Sequence, residues 1–488
     1  MKPGSILSKD YSEKRWVEQI NKSFDDEADN DDVNVNVQVC VFSVPKSTSH
    51  FNPEAYVPQA IALGPYHHFE SHLYQMERYK VAAVKAILSS DQVLAFESLV
   101  INRLKEKESM IRACYHKYMD LDNDTLAWII AIDGLFLLGL FGHYVDIAPL
   151  MPKTLIHDGV IYRDVMVLEN QIPLCLLKEI WNTLHLSSST TTSHDGDHEL
   201  ISMLRVFCEV HSPLSLRKDP ISHNVDEMRY LHLLDLMYHS IVNNNQEISQ
   251  PSQVAIPRED MDDRPLKVIK NIPWEKISNS IGLRTITQDK EDADDQDGVK
   301  EIEIPSASSL RKYGQISFSC MTTGGIKDIS FDKNRATLYL PVITLDVYSD
   351  VVLRNLIAYE VATSSSTRDL AAYIDLMSGI VDSELDAKLL RAVGIIKGNM
   401  NNKEIADLFK GMNKNKSNVY ISSSNKVIEQ LNQYYSNRPM IKAWRFIKKD
   451  LLRSQKVATI VFTICISLLT ILYSFCEVYG CSNLFGRK

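Results

Sequence analysis

LAWIIAIDGLFLLGLF, residues 126–141, is a sixteen-residue apolar stretch with Asp133 and Gly134 at its centre. Its reading decides the fold. If it crosses a bilayer, the chain is threaded through a membrane from its first third onward. If it is a core helix, most of the chain is a globular domain. A span needs about 20 apolar residues, and a charge at its midpoint costs ~3 kcal/mol or more. Sixteen residues with a central carboxylate fall short on both counts. A buried core helix is expected, with Asn123, Asp124 and Thr125 supplying N-cap chemistry in front of it. The whole chain agrees: 488 residues, 45% hydrophobic and 24% charged, is an ordinary globular composition.

Upstream, residues 1–37 contain FDDEADNDDVNVN and read as a disordered acidic tail. VQVCVFSVP then alternates as a short strand, ended by Pro45. LGPYHHFESH, residues 63–72, turns at Gly64 and Pro65 and carries His67, His68 and His72. A helix starting near His68 would put His68 and His72 on one face, with Glu70 or Glu77 as the nearest acids. Zinc catalysis needs three protein ligands, which this face does not supply. Packing and hydrogen bonding are expected of these histidines, with acid–base or metal chemistry as the alternative. LYQMERYKVAAVKAIL follows with Leu73, Met76, Lys80, Ala83, Val84 and Ile87 at helical spacing, and Lys80 is the polar intruder. RLKEKESMIRACYHKYMDL reads as further helix with its charges outward.

Downstream, VMVLENQIPLCLLKEIW turns between Asn170 and Pro173 before another helix, where Pro173 fits the first turn. A low-complexity loop is expected over 187–199 and a mobile, acidic linker over 243–300, with the helix LHLLDLMYHSIV between them. GQISFSCM and ISFDKNRATLYLPVITLD then change to period-two alternation, with DKNR as a hairpin turn. Helical periodicity returns in VVLRNLIAYEVA, YIDLMSGIVDSELDAKLLRAVGII and NKEIADLFKGMNK. The expected fold is mainly α with a small antiparallel β element, an α+β domain over 38–452.

The end of the chain differs. VATIVFTICISLLTILYSFC, residues 457–476, holds twenty residues without a charge, enough for one C-terminal transmembrane helix. A tail of residues 477–488 follows. Thr459, Thr463, Ser467, Thr470 and Ser474 line one face of that helix. Such a face permits self-association, or each hydroxyl bonds the carbonyl one turn back in its own helix. Lys442, Arg445, Lys448, Lys449, Arg453 and Lys456 precede the span, against Arg487 and Lys488 after it. The charge bias places the large N-terminal part in the cytosol of a single-pass, plasma-membrane protein, with lipid contacts along the basic stretch. No signal peptide is visible at the start.

Net charge −9 speaks against nucleic-acid binding, which requires basic surface. The charge is uneven, with thirteen Lys/Arg against four Asp/Glu between Lys397 and Lys456. Eight cysteines without a C-x-x-C pair suggest buried thiols in a reducing compartment. Phosphate-loop, nucleophile-elbow and H-E-x-x-H templates are absent. The aspartates at 120, 122 and 124 fail as a calcium loop, because Thr125 stands where glycine is needed.

Several blocks in this order resemble the plant family carrying the domain of unknown function 247 (UPF0481-like). They are FSVPKSTSHFNPEAYVPQAIALGPYHH, MERYKVAAVKAIL, VLENQIPLCLLKEI, HLLDLMY, IPSASSLRKYGQISF and LYLPVITLDVYSDVVLRNLIAYE, followed by the terminal span. The motif positions in these blocks are Gly64, Pro65, Tyr66, His67 and His68, then Glu77 and Arg78. Glu169, Asn170, Gln171 and Pro173 follow, with Arg354 and Asn355 last. The resemblance implies a land-plant protein with one C-terminal membrane helix, no established activity, and no catalytic, cofactor or metal residues to carry over. Some grass members are implicated as pollen-side self-incompatibility determinants. The expected function is therefore membrane-anchored, non-catalytic recognition or signalling through an unidentified protein partner. An undescribed membrane-bound enzyme using the His67/His68/His72 region is the alternative.

Overall fold

Two helices frame the N-terminal half, α1 (Gln75–Ile87) and α2 (Asn123–Gly142). The computed structural model describes residues 39–50, 52–142, 159–185, 193–216, 230–242, 304–321, 324–363, 367–412, 423–446, 462–471 and 473–474, besides 17, 18 and 21. Most of the expected acidic tail, the start of the 187–199 loop, all of 243–300 and the 477–488 tail lie outside the described residues.

The deciding stretch is a core helix. Among the described residues α2 is the one helix long and apolar enough to cross a membrane, yet 72% of its most apolar window is buried inside the protein. Apolar on all sides, it is covered along most of its length, with Trp128 left 42% exposed. α1, the short helices over 97–106 and two later helices pack around it. Gly134 makes room for one of these: a Cβ there would lie 2.5 Å from Ile180 Cδ1. The cap sits earlier than expected. Asp122, not residues 123–125, accepts from the Thr125 amide at 2.8 Å and from its hydroxyl at 2.8 Å.

α1 also starts later than a helix from His68 would. Glu70 N, Leu73 N and Met76 N each bond the carbonyl three residues back. Residues 67–74 therefore form tight successive turns, and no common helical face stacks His68 on His72. The expected strand near Cys40 is one parallel bridge, Val41 to Tyr115, because only Tyr115 and its neighbours are extended after the helix Glu108–Cys114.

The chain continues through α3 (Val160–Val165), a 3₁₀ turn at Leu168–Asn170, α4 (Leu174–His185), α5 (Ser193–His211) and α6 (Leu233–Val242). Pro173 stands immediately before α4 rather than in its first turn, and its carbonyl accepts from Leu176 N and Leu177 N. α5 takes Ser193 to Glu199 from the expected loop.

The C-terminal half opens with β1 (Ser317–Met321), β2 (Ser330–Asp332), β3 (Thr337–Pro341) and β4 (Ile343–Leu345). Then come α7 (Ser349–Ala362), α8 (Asp369–Ile380), α9 (Glu384–Ala392), β5 (Ile396–Gly398), α10 (Asn402–Met412), α11 (Ser423–Ser436) and α12 (Pro439–Phe446). DKNR is the hairpin turn: Asp332 Oδ1 accepts from Asn334 N at 2.8 Å and Arg335 N at 3.2 Å. The sheet is not simply antiparallel, however. The order is β1-β3-β2, with β1 parallel to β3 and only β2 antiparallel to it. β1 reaches β2 by crossing to the far edge, so the hairpin returns alongside β1 in the same direction. β4 and β5 also pair in parallel, joined through three helices. The long periodic run after Tyr373 breaks into α8 and α9 at Ser383, which forms a capping box with Asp386.

One continuous apolar core runs from Cys40 to Leu431. The terminal apolar run is described over Phe462–Ile471, a ten-residue helix with exposed side chains. Tyr473 and Ser474 beyond it are also described and exposed, whereas residues 457–461, Thr459 among them, lie outside the described residues.

Candidate functional site

The polar intruder on the apolar face of α1 and the one inside the apolar α2 are each other's partners. Lys80 of α1 and Asp133 of α2 are both fully buried and form an ion pair. Lys80 Nζ donates to Asp133 Oδ1 and to the Ala62 carbonyl at 3.0 Å, and stands 2.5 Å from Glu77 Oε1 as a second ion pair. Asp133 Oδ2 accepts from Gly64 N at 2.9 Å. The pair thus clamps both ends of the turn at Gly64 to the two helices. Gly64 holds φ +71°, and a Cβ there would lie 2.9 Å from the Tyr115 hydroxyl, so glycine is required twice over. Burial pushes Asp133 up to about 6 against the pull of Lys80. Burial also pulls Lys80 down, but Asp133 and Glu77 outweigh it and hold the ammonium above its ordinary value.

The histidines sit on the outer side of this clamp and do not converge. His67 is buried, with Nδ1 2.6 Å from Glu70 Oε1 and Nε2 3.7 Å from Glu169 Oε2. His68 Nδ1 stands 3.9 Å from Glu77 Oε1, and burial lowers its pKa despite that carboxylate. His72 is exposed, 3.7 Å from Glu70 Oε2. Cys40 lies apart from them, against Cys114. Among the described residues, no group of three or more His, Cys, Asp or Glu is arranged to hold a metal ion.

The remaining motif side chains mostly bind backbone. Tyr66 accepts from Lys117 N at 2.7 Å and donates to the Val41 carbonyl at 3.3 Å; burial pushes its phenol up to about 12. Glu169 takes Val44 N at 2.7 Å and Lys117 Nζ at 2.5 Å. Asn170 accepts from Leu63 N at 2.7 Å and donates to the carbonyls of Ile61 and Asp164, each at 3.0 Å. Gln171 donates to the carbonyls of Val165 and Val167 and accepts from Leu234 N. Asn355 of α7 accepts from Leu168 N at 2.9 Å and donates to the Ala55 carbonyl at 2.8 Å, joining segments 187 and 300 residues away. Arg354 pairs with Asp350 at 2.7 Å, and Arg78 is exposed. Pro65 follows Gly64 in the turn.

Other buried polar groups carry no mark in the sequence. Asp164 gathers the amides of Gln59, Ala60 and Ile61 and pairs with Arg163 at 2.6 Å. Between α6 and α7, Asp235 accepts from the Tyr359 hydroxyl at 2.7 Å and from Leu231 N at 2.6 Å, with His239 Nε2 at 3.1 Å. Burial pushes Asp235 up, but these donors and His232 outweigh it and leave the carboxyl below its usual range. Only the exceptional character of Lys80 and Asp133 was visible beforehand; that they pair was not.

His232 is fully buried beside this network. Its Nε2 donates to the Cys40 carbonyl at 3.1 Å, so Nδ1 accepts from Asp235 N at 3.2 Å and the ring is neutral. Burial drives its pKa from 6.5 to about 4. The unfolded chain therefore takes up a proton that the fold refuses. Its stabilising contribution is present above pH 6.5 and is lost as pH falls toward 4, on the order of 3 kcal/mol. Melting curves of the detergent-solubilised chain test this. The gap in Tm between wild type and His232→Gln should narrow steadily from pH 7 to pH 4.5, and a constant gap would contradict it.

The family model for DUF247, described as a plant protein of unknown function, matches residues 41–470. The chain belongs to this family. It is 32% identical to a UPF0481 protein of Arabidopsis thaliana over 519 aligned positions, covering 96% of both chains. A second Arabidopsis UPF0481 protein is 23% identical over 406 positions, covering 81% of this chain and 77% of the relative. No solved structure matches. For this DUF247 chain, the motif blocks that suggested the family are thus largely the backbone-binding side chains described above.

Proposed function

We propose that this DUF247 chain is a membrane-anchored recognition or signalling protein without chemistry of its own, acting through contact with another protein. One observation carries the reading: the polar side chains of the motif blocks are engaged internally. Asn170, Gln171 and Asn355 hold backbone in the core, and Lys80 and Asp133 hold each other. The exposed apolar helix Phe462–Ile471, preceded by a basic stretch, supports a terminal anchor with the large domain in the cytosol. Within that helix Ser467 donates to the Thr463 carbonyl at 2.8 Å and Thr470 to the Ile466 carbonyl at 3.1 Å. These hydroxyls are used in their own helix, which weakens self-association relative to a lipid-facing anchor; Ser474 is exposed on the same run. Pollen-side recognition in self-incompatibility is the narrowest form of the reading.

Proximity labelling in native plant tissue, with the tag at the N-terminus, tests both halves. Cytosolic and membrane-associated neighbours are expected, together with a stoichiometric protein partner. Recovery from the soluble fraction, or glycans at the sequons Asn21-Lys-Ser, Asn123-Asp-Thr or Asn415-Lys-Ser, would refute the anchor or its orientation.

The catalytic alternative draws on one observation: His67 Nε2 and His68 Nδ1 are buried without a hydrogen-bond partner. Changing His67, His68 and His72 together to alanine separates the readings. Retained partner binding is expected, whereas loss of a biochemical turnover with binding intact would favour an enzyme.

A further inference from the structure

Three cysteines distant in sequence meet beside the N-terminus of α4. Cys40 N and Val41 N both donate to the Cys114 carbonyl, at 2.8 and 2.9 Å. Tyr115 Oη donates to the Gln171 carbonyl at 3.2 Å. Leu174 N donates to the Leu231 carbonyl at 2.8 Å, while the neighbouring His232 holds the Cys40 carbonyl. These bonds draw the segments around residues 40, 114 and 175 together. The Cys114 thiol lies within hydrogen-bonding reach of the thiols of both Cys40 and Cys175.

The three are not equivalent. Cys40 and Cys114 are buried, whereas Cys175 is half-buried. Cys175 is the second residue of the twelve-residue α4, where helix amides favour a thiolate. The Cys114 thiol hydrogen-bonds its sulfur and, with the amides of Leu176 and Cys175 and the charge of Lys107, holds its pKa below the ordinary value against burial. The Cys114 thiol is held up and stays protonated. Cys208, deep in the core, is pushed well up by burial. An accessible, thiolate-prone sulfur beside a second thiol is the arrangement of a redox-responsive pair.

We propose that Cys175 reacts with hydroperoxides and that Cys114 resolves it to a disulfide. The Cys175 thiolate attacks the peroxide O–O bond. An S–O bond forms, the O–O bond breaks, and the leaving oxygen takes a proton as water or alcohol. The sulfur is oxidised by two electrons to a sulfenic acid and the peroxide is reduced by two. The Cys114 sulfur then attacks the Cys175 sulfur, an S–S bond forms and the S–O bond breaks. The departing hydroxide leaves as water with the Cys114 proton. The bridge ties the end of the helix Glu108–Cys114 to α4, both of which pack on α2. Reduction by cellular thiols reverses it, as for other regulatory disulfides of reducing compartments.

Differential alkylation and peptide mapping of the full chain in detergent test the pair. Before oxidation, Cys175 should alkylate at least about tenfold faster than Cys320, which is also half-buried. After a few equivalents of hydrogen peroxide, the first disulfide should join Cys114 to Cys175. In Cys114→Ser that bridge should vanish, and dimedone should trap a sulfenic acid at Cys175. Equal alkylation of Cys175 and Cys320 in the wild type would overturn the proposal, whether or not the variant folds. So would a first bridge between Cys40 and Cys114.

Discussion

Lys80→Met is expected to lower stability by about 3–5 kcal/mol, because it leaves Asp133 buried without its countercharge. The substituted side chain fills the space of the lysine stem, so the loss is electrostatic. Asp133 already sits at about 6 with Lys80 present, and removing the ammonium raises it further. A carboxyl whose pKa is higher in the fold than in the unfolded chain destabilises at high pH and is relieved as pH falls through its folded value. The loss should therefore be larger at pH 8 than at pH 5. In thermal melts of the detergent-solubilised chain it should appear as a fall of roughly 5 °C or more at pH 8. Lys80→Met combined with Asp133→Leu should recover much of that fall, since a paired apolar replacement removes the unpaired charge. If Lys80→Met melts with wild type at pH 8, the clamp between the Gly64 turn and the two helices is not structural.

Asp164→Leu should be comparably severe, at about 3–5 kcal/mol. It strands the amides of Gln59, Ala60 and Ile61 and leaves Arg163, which is 3% exposed, without its carboxylate partner on α3. Arg163 retains the carbonyls of Val57 at 3.0 Å and Glu54 at 2.5 Å, so its charge stays buried rather than escaping to water. Asp164→Asn keeps the shape and one acceptor oxygen and should lose less. Hydrogen exchange reads the site directly: protection at residues 59–61 should collapse in Asp164→Leu before that of α2 does. Uniform loss of protection along the chain would mean that Asp164 does not hold this segment locally.

The first prediction concerns residues that stand out in the sequence as misfits, whereas Asp164 carries no mark there. Periodicity found α1, α6, α7 and α10, because one apolar face recurs at helical spacing in each, and a continuous apolar run found α2. It also found β1 and the β2–β3 hairpin, because strand alternation and the DKNR turn are local signals. It missed the parallel pairing of β1 with β3, since register between distant strands depends on a crossover that no window contains. It misplaced the start of α1 for a related reason. The turns at 67–74 follow from Gly64 being tied to Asp133, 69 residues onward.

The same division holds for the motif residues. Their order along the chain was enough to indicate the family, and the two apolar helices declared their exceptions openly. Nothing local says that Lys80 and Asp133 meet, that Asp164 gathers three amides, or that Cys40, Cys114 and Cys175 share one corner. What the sequence by itself determined is the set of elements, because secondary structure answers to neighbours three or four positions away. What only the tertiary structure decided is which buried polar groups satisfy one another. A polar group removed from water must find a partner wherever the chain brings one: Lys80 finds its carboxylate 53 residues away and Asn355 a carbonyl 300 residues away.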